Sequence, residues 1–266
     1  NGYQGVFVKF NLDGDLLIEK YYEITDGTDL LKNITELSDR TFFLGGEVSG
    51  GELRSDGSIG SQSAGPIWMK VNDLGEVLWA RRASYGYAFY AEQSEKAILL
   101  PDGDVLIAGY QSALIKLDSM GNIVWSLAEK KGNLFYKSII PLSSKKYLVA
   151  GQAHDNGIKA FFQIIDVDTG TIEKHTLLSA PLFDIFLESI QNNEYGEIVA
   201  VGKSQFSTYN SSPFLGVLSS DLTRVRATAT FSLEDHTTNL DLFKRTYLQP
   251  YAPFRSITVT EIVKTP

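Results

Sequence analysis

Three observations predict an all-β fold. Apolar and polar residues alternate in short runs bounded by Gly, Asp and Asn, the period of half-buried strands and not of helices. One phrase, an apolar strand, a short turn and a second strand that often carries Trp, occurs five times in 266 residues. A second hairpin precedes each later copy, so the repeating unit is a four-stranded antiparallel sheet. Radial repetition of such sheets is a β-propeller. The count predicts five blades in a single domain spanning residues 1–266.

The phrase first reads VFVKFNLDGDLLIEK from Val6. It returns as IWMKVNDLGEVLWAR from Ile67, ALIKLDSMGNIVWSL from Ala113, AFFQIIDVDTGTIEK from Ala160 and PFLGVLSSDLTRVRA from Pro213. The copies align on Lys9, Lys70, Lys116, Gln163 and Gly216. Their turns carry Asp13-Gly14, Gly75, Gly121 and Gly170, residues suited to tight reversals with φ > 0. The fifth has Asp221-Leu222 instead, which predicts a different turn. The upstream hairpins are TELSDRTFFLGG, AILLPDGDVLIAGY, SIIPLSSKKYLVAGQ and SIQNNEYGEIVAVGK, with apolar strands ending at Gly45, Gly109, Gly151 and Gly202. DIFLES (184–189) aligns with their inner strands, so it reads as strand and not as a helical turn.

These units predict blades at about 30–84, 88–131, 134–178 and 183–231. The chain opens with one hairpin (5–22) lacking first and second strands. It closes with KRTYLQPYAPFRSITVTEIV, a first-and-second-strand pattern with no hairpin after it. The fifth blade is therefore expected to be a composite, with N-terminal strands (5–22) pairing with C-terminal strands (240–263) to shut the ring. A two-sheet sandwich could use the same hairpins, but it has no reason to repeat one four-strand unit.

A chain this long buries about 75% of its unfolded surface, so its core needs no staples. No run approaches the ~18 apolar residues of a membrane-spanning helix. The net charge of −8, without a basic cluster, repels phosphate backbones and argues against nucleic acid as a partner. Cysteine is absent, which excludes disulfides and thiolate metal sites. The chain begins NGYQGVF, already leading into a strand, and reads as a processed chain with its targeting segment, and room for a lipid anchor, upstream. The expected state is a monomer.

The cycle L-x-x-G-x-I/V-x-W, x-x-G-x-x-L/V-x-A/G-G, x-x-I/L-x-K-L/V-D/N resembles the secreted bacterial β-propeller repeats of extracellular and envelope proteins, often lipoproteins. LPDGDVLIAGYQSALIKLDSMGNIVW (100–125) carries the likeness best and IWMKVNDLGEVLW (67–79) next, while the blades from 134 and 183 depart from it. The resemblance implies a propeller and export to the cell envelope or exterior. Its motif positions are turn glycines, core aliphatics and an outer-strand Trp, so it transfers no catalytic or binding residue.

Propellers bind at the face formed by loops joining second to third strands and by loops between blades. On that map GEVSGGELRSDGSIGSQSAGP (46–66) is a long loop, either a lid or partner contact or a neutral insertion, whereas its counterpart is only Tyr110-Gln111-Ser112. Tyr85, Tyr87, Phe89 and Tyr90 lead into the second blade, as Phe135-Tyr136, Phe183, Phe186 and Phe243 lead into others. Recurrence favours packing between sheets, and a stacking platform for sugar rings is the other reading. The candidate ligand-binding residues are Tyr85, Tyr87, Tyr110, His154, Phe206 and Tyr209. With Asp155, His154 could serve a metal, but His175 and His236 lie elsewhere in the sequence and a solvated loop histidine is the simpler reading. No metal ligand set and no cofactor motif is found.

An enzyme on this fold needs convergent carboxylates. Glu95 and Glu188 fall on first strands, but Lys32, Lys137 and Arg245 fall near equivalent positions, the mixed signs of a neutralised channel lining. Asp13, Asp102 and Asp118 belong to turns, and there is no nucleophile elbow, phosphate loop or HExxH. The expectation is a non-enzymatic binding or interaction module with a glycan or protein ligand at the top-face loops. The alternative is a carbohydrate-active hydrolase or lyase on the same scaffold.

Overall fold

The computed structural model describes residues 4–25, 27–37, 39–50, 63–82, 94–109, 113–129, 133–154, 156–180, 182–207, 210–227, 232–235, 242–244 and 258–261. Among these the regular elements are strands, with no helix. A first sheet pairs β1 (Gly5–Phe10) with β2 (Leu16–Glu23). The second runs through β3 (Thr28–Glu36), β4 (Phe42–Gly50), β5 (Ser63–Val71) and β6 (Val77–Arg82). The third comprises β7 (Ser94–Leu99), β8 (Val105–Gly109), β9 (Ala113–Leu117) and β10 (Ile123–Glu129). The fourth comprises β11 (Leu134–Pro141), β12 (Lys146–His154), β13 (Ile158–Asp166) and β14 (Thr171–Ser179). The fifth comprises β15 (Asp184–Asn192), β16 (Ile198–Ser207), β17 (Asn210–Leu218) and β18 (Val225–Ala227).

The middle strands of each inner sheet are apolar on both sides because each sheet separates two cores. On β4, Phe43 packs toward the third sheet and Leu44 toward the first. On β5, Trp68 faces the third sheet while Ile67 and Met69 face the first. Leu106 and Leu114 of the third sheet join Phe161 of the fourth, and Leu148 and Phe162 of the fourth join Phe214 of the fifth. Burial of each such large side chain contributes roughly 1.5–3 kcal/mol. Four cores thus link five antiparallel sheets in chain order, an arrangement compatible with a propeller-like fold. The sheets are not closed into a ring, and among the described residues no core cluster joins the fifth sheet to the first.

The expected composite blade is corrected by the C-terminal strands. β21 (Thr258–Glu261) does join the N-terminal sheet, but on the outer edge of β2, where a preceding strand pair would have extended β1. β20 (Leu242–Lys244) lies on β10 of the third sheet, and β19 (Ser232–Asp235) lies on β14 of the fourth. These strands satisfy exposed backbone groups at sheet edges, which a three- or four-residue extended segment can do without any side-chain pattern.

Two glycine positions carry most of the repeat. Gly46, Gly151 and Gly202 pack so tightly on the neighbouring first strand that an added Cβ would sit 1.9, 1.9 and 2.0 Å from the carbonyl oxygens of Leu30, Phe135 and Phe186. Each lies opposite a β-bulge, where the register breaks between Leu31 and Asn33, Tyr136 and Ser138, and Leu187 and Ser189. In the second sheet the position is therefore Gly46, one residue beyond Gly45. The turn glycines Gly75, Gly121 and Gly170 have φ of 75°, 81° and 72°. They form a platform for an aromatic residue of the preceding sheet. Tyr22 Oη donates to Gly75 O (2.8 Å), Trp79 Nε1 to Ser119 O (3.3 Å) and Trp125 Nε1 to Val167 O (3.0 Å). At the next junction Lys174 Nζ donates to Asp221 O (2.6 Å).

The fifth turn is less different than its sequence suggests. Leu222 N donates to Ser219 O, as Gly121 N donates to Asp118 O, and Leu222 adopts φ 55°. Its side chain is buried in the core between the fourth and fifth sheets, which offsets the strain of a bulky residue in the left-handed region. The pairing also shifts the alignment by one residue in the last two copies. Leu114 pairs with Ala108, Phe162 with Ala150 and Leu215 with Val201, so Ile164 and Val217 occupy the positions of Lys70 and Lys116. Gln163 instead is fully buried between Tyr136 Oη (3.0 Å) and His175 Nδ1 (3.0 Å). The long loop is shorter than expected, because 46–50 pairs with 63–67 in the β4–β5 ladder; 51–62 lies outside the described residues.

Candidate functional site

In an antiparallel meander the β12–β13, β14–β15 and β16–β17 connections all fall at one end of the sheets. At that end, between the fourth and fifth sheets, the described residues flanking these connections line a cleft of roughly 410 Å³. Asn156 and, at the start of β13, Lys159 form one wall, Leu182, Phe183 and, at the start of β15, Asp184 a second, and Gln205 and Phe206 at the end of β16 a third.

Local chemistry shapes each wall. The β12–β13 hairpin closes with His154 opposite Ile158, and the reversal uses Asn156 (φ 51°) and Gly157 (φ 105°), residues that tolerate the left-handed region. Asp184 Oδ1 accepts the Ile158 N–H at 2.7 Å and lies 3.0 Å from where a Cβ on Gly157 would sit. One carboxylate oxygen thus pins the turn. In the second wall an isolated bridge between Ala180 and Phe183 folds the connection tightly. It presents Leu182 (67% exposed) and Phe183 (37% exposed) to solvent. Phe183 meets Phe206, itself 62% exposed, with ring centroids 5.8 Å apart and planes at 60°. Beside them Lys203 Nζ lies 4.6 Å from the centre of the Phe186 ring.

Of the residues expected at this face, Phe206 lines the cleft. His154 stands at the base of the same hairpin, its ring 4.3 Å from that of Phe135. Burial pushes the His154 imidazole below its usual pKa against the opposing pull of the Asp184 carboxylate, which favours the neutral ring. Tyr85, Tyr87, Tyr110 and Tyr209 lie outside the described residues, as does Asp155. Among the described residues no three His, Asp or Glu side chains come together as metal ligands would.

The charged residues of the inner strands occupy a common structural position. The bulges leave Lys32, Glu95, Lys137 and Glu188 as the extra residue on β3, β7, β11 and β15, so the sign alternates from one inner strand to the next. In chain order a lysine-bearing inner strand thus falls between the two glutamate-bearing ones. Arg245 lies outside the described residues.

Sequence reasoning grouped Phe183 with Phe135-Tyr136 as packing between sheets, but the register makes Leu187 the counterpart of the buried Tyr136 and leaves Phe183 four residues earlier, at the exposed strand entry. It also passed over Asn156, Lys159, Asp184 and Gln205. The Asn156-Gly157 dipeptide was the available signal, since it marks a tight reversal next to a strand end.

No family model and no curated protein matches the chain. Among solved structures it is similar to a protein of unknown function from Bacteroides caccae, with 12% identity over 70% of this chain and 73% of that one, and a TM-score of 0.39.

Proposed function

We propose that the chain is a five-bladed propeller that serves as a non-enzymatic binding module of the bacterial cell envelope or exterior, with a glycan as its ligand. The observation that carries the reading is the exposed Phe183–Phe206 pair beside a polar cleft. A sugar ring offers an apolar face to aromatic side chains and a rim of hydroxyls to hydrogen-bonding groups. Asn156, Lys159, Asp184 and Gln205 supply both donors and acceptors around the two rings. Export is supported by the likeness of residues 67–79 and 100–125 to secreted bacterial repeats.

A hydrolase would need a second carboxylate facing the first across the cleft. The described lining contributes Asp184, one of whose oxygens is engaged by the Ile158 N–H. A glycan array probed with the wild type and with Phe206→Ala tests the reading. Binding by the wild type and at least a tenfold loss in the variant are expected. Wild-type binding unaffected by Phe206→Ala and Phe183→Ala would remove the cleft as the site, and a silent array would remove the glycan.

A further inference from the structure

We propose that the open face of the fifth sheet packs on the open face of the first sheet of the same chain, along a seam formed by Leu215 and Val201 against Val6 and Val8. This seam rests on the propeller reading of the scaffold and is independent of which ligand the cleft takes.

The repeat register identifies these residues. Phe7, Trp68, Leu114 and Phe162 occupy one position on β1, β5, β9 and β13, pointing toward the following sheet, and they are 4%, 1%, 0% and 0% exposed. Leu215 holds that position on β17 and is 46% exposed. On the opposite side Ile67 and Met69 of β5 point toward the preceding sheet, and both are 0% exposed. Their counterparts on β1, Val6 and Val8, are 43% and 41% exposed. Positions fully buried at the junctions between sheets are thus open, yet still apolar, where the first and last sheets have no neighbouring sheet among the described residues. Val201, 41% exposed, stands opposite Leu215 and widens the apolar face.

The polar periphery agrees. Trp79, Trp125 and Lys174 each stand four residues after the left-handed turn residue and donate to a turn carbonyl of the next sheet. Arg226 stands four residues after Leu222. In the structure it pairs with Glu197 of its own sheet; continued by one step, the series would bring it near the turn between β1 and β2, where Asp13 and Asp15 lie. The fifth sheet's occupant is the first sheet because the same interface recurs four times with the same polarity, each sheet's following face on the next sheet's preceding face.

The absence of cysteine makes the test clean. Val8→Cys and Leu215→Cys are introduced singly and together, and the full chain is treated at low concentration with a bis-maleimide spanning about one sheet-to-sheet spacing, ~10 Å. The double variant is expected to give an internally linked monomer in high yield, and the single variants none. Linkage only between molecules assigns the face to a second copy and overturns the proposal, as does no linkage beyond the single-variant controls. A second measurement compares Val8→Asp with Leu78→Asp, two substitutions at exposed strand positions (41% and 52%). Closure predicts that the melting midpoint falls by about 5 °C or more for Val8→Asp and by far less for Leu78→Asp. Equal, small shifts overturn it. Neither readout involves glycan, so a failure here is distinct from a failure of the ligand reading.

Discussion

Trp125 of the third sheet lies over Gly170 in a turn of the fourth, its indole N–H donating to the carbonyl of Val167 at 3.0 Å. The contact joins hydrophobic burial and a satisfied polar group at one inter-sheet junction. Its counterpart, Trp79 over Gly121, separates two effects that usually occur together in glycine substitutions. A Cβ on Gly121 would fall 2.6 Å from the Trp79 ring, whereas Gly103 has φ 87° and nothing within 4 Å. Gly103→Ala should therefore cost only the left-handed backbone term, about 1–2 kcal/mol. Gly121→Ala should cost this and the displacement of Trp79, about 1 kcal/mol or more beyond it. Urea unfolding of both variants checks the difference.

Thr176 on β14 is 1% exposed and its buried hydroxyl has no hydrogen-bond partner among the described residues. Replacing the hydroxyl with a methyl group keeps the shape and removes a desolvation cost. Thr176→Val is expected to stabilise the fold by about 1 kcal/mol, read as an upward shift of the urea midpoint at unchanged slope.

Leu222 combines an unfavourable backbone with a favourable side chain. Glycine would relax the φ of 55° but empty a buried position at the core between the fourth and fifth sheets. The cavity outweighs the strain, since deleting a buried leucine costs about 2–5 kcal/mol and the left-handed conformation about 1–2 kcal/mol. Leu222→Gly should lower stability by a net of about 1–3 kcal/mol, measured by the same unfolding assay.

Acid should act through Asp39. The Lys70 ammonium, 2.8 Å away, and the Thr41 hydroxyl hold its carboxyl down to about 2 from 3.8. The group stabilises the fold above pH 3.8, and this contribution is lost as the pH falls toward about 2. Its side chain is 52% exposed, so screening limits the effect to below about 1 kcal/mol. Asp39→Asn should flatten the stability profile across that window and leave the profile near neutrality unchanged in slope, as followed by urea midpoints at a series of pH values.

Most strands and turns were legible in the sequence because their causes are local. Alternation such as that of Phe43 and Leu44 or Ile67 and Trp68 reflects a sheet placed between two cores, and Gly75 and Gly121 mark turns that need φ > 0. The failures share a different cause. Gln163 looked equivalent to Lys116 because a turn longer by one residue shifts the register, which only the pairing of Phe162 with Ala150 reveals. The placement of 242–244 on β10 was illegible because edge pairing depends on backbone groups common to every residue. The cleft was half legible. Phe206 was found from its polar loop, whereas Asp184 acts through a hydrogen bond to a strand 26 residues away, a relation no spacing rule encodes.

The short strands 232–235, 242–244 and 258–261 have a consequence for association. Each covers the outermost strand of a different sheet, occupying amide and carbonyl groups that would otherwise recruit a neighbouring molecule. Proteolytic loss of the last thirty-odd residues would uncover β14, β10 and β2 while removing none of the described members of the four inter-sheet cores. The trimmed species should keep its fold and lose its solubility, so this tail protects against aggregation more than it stabilises the fold.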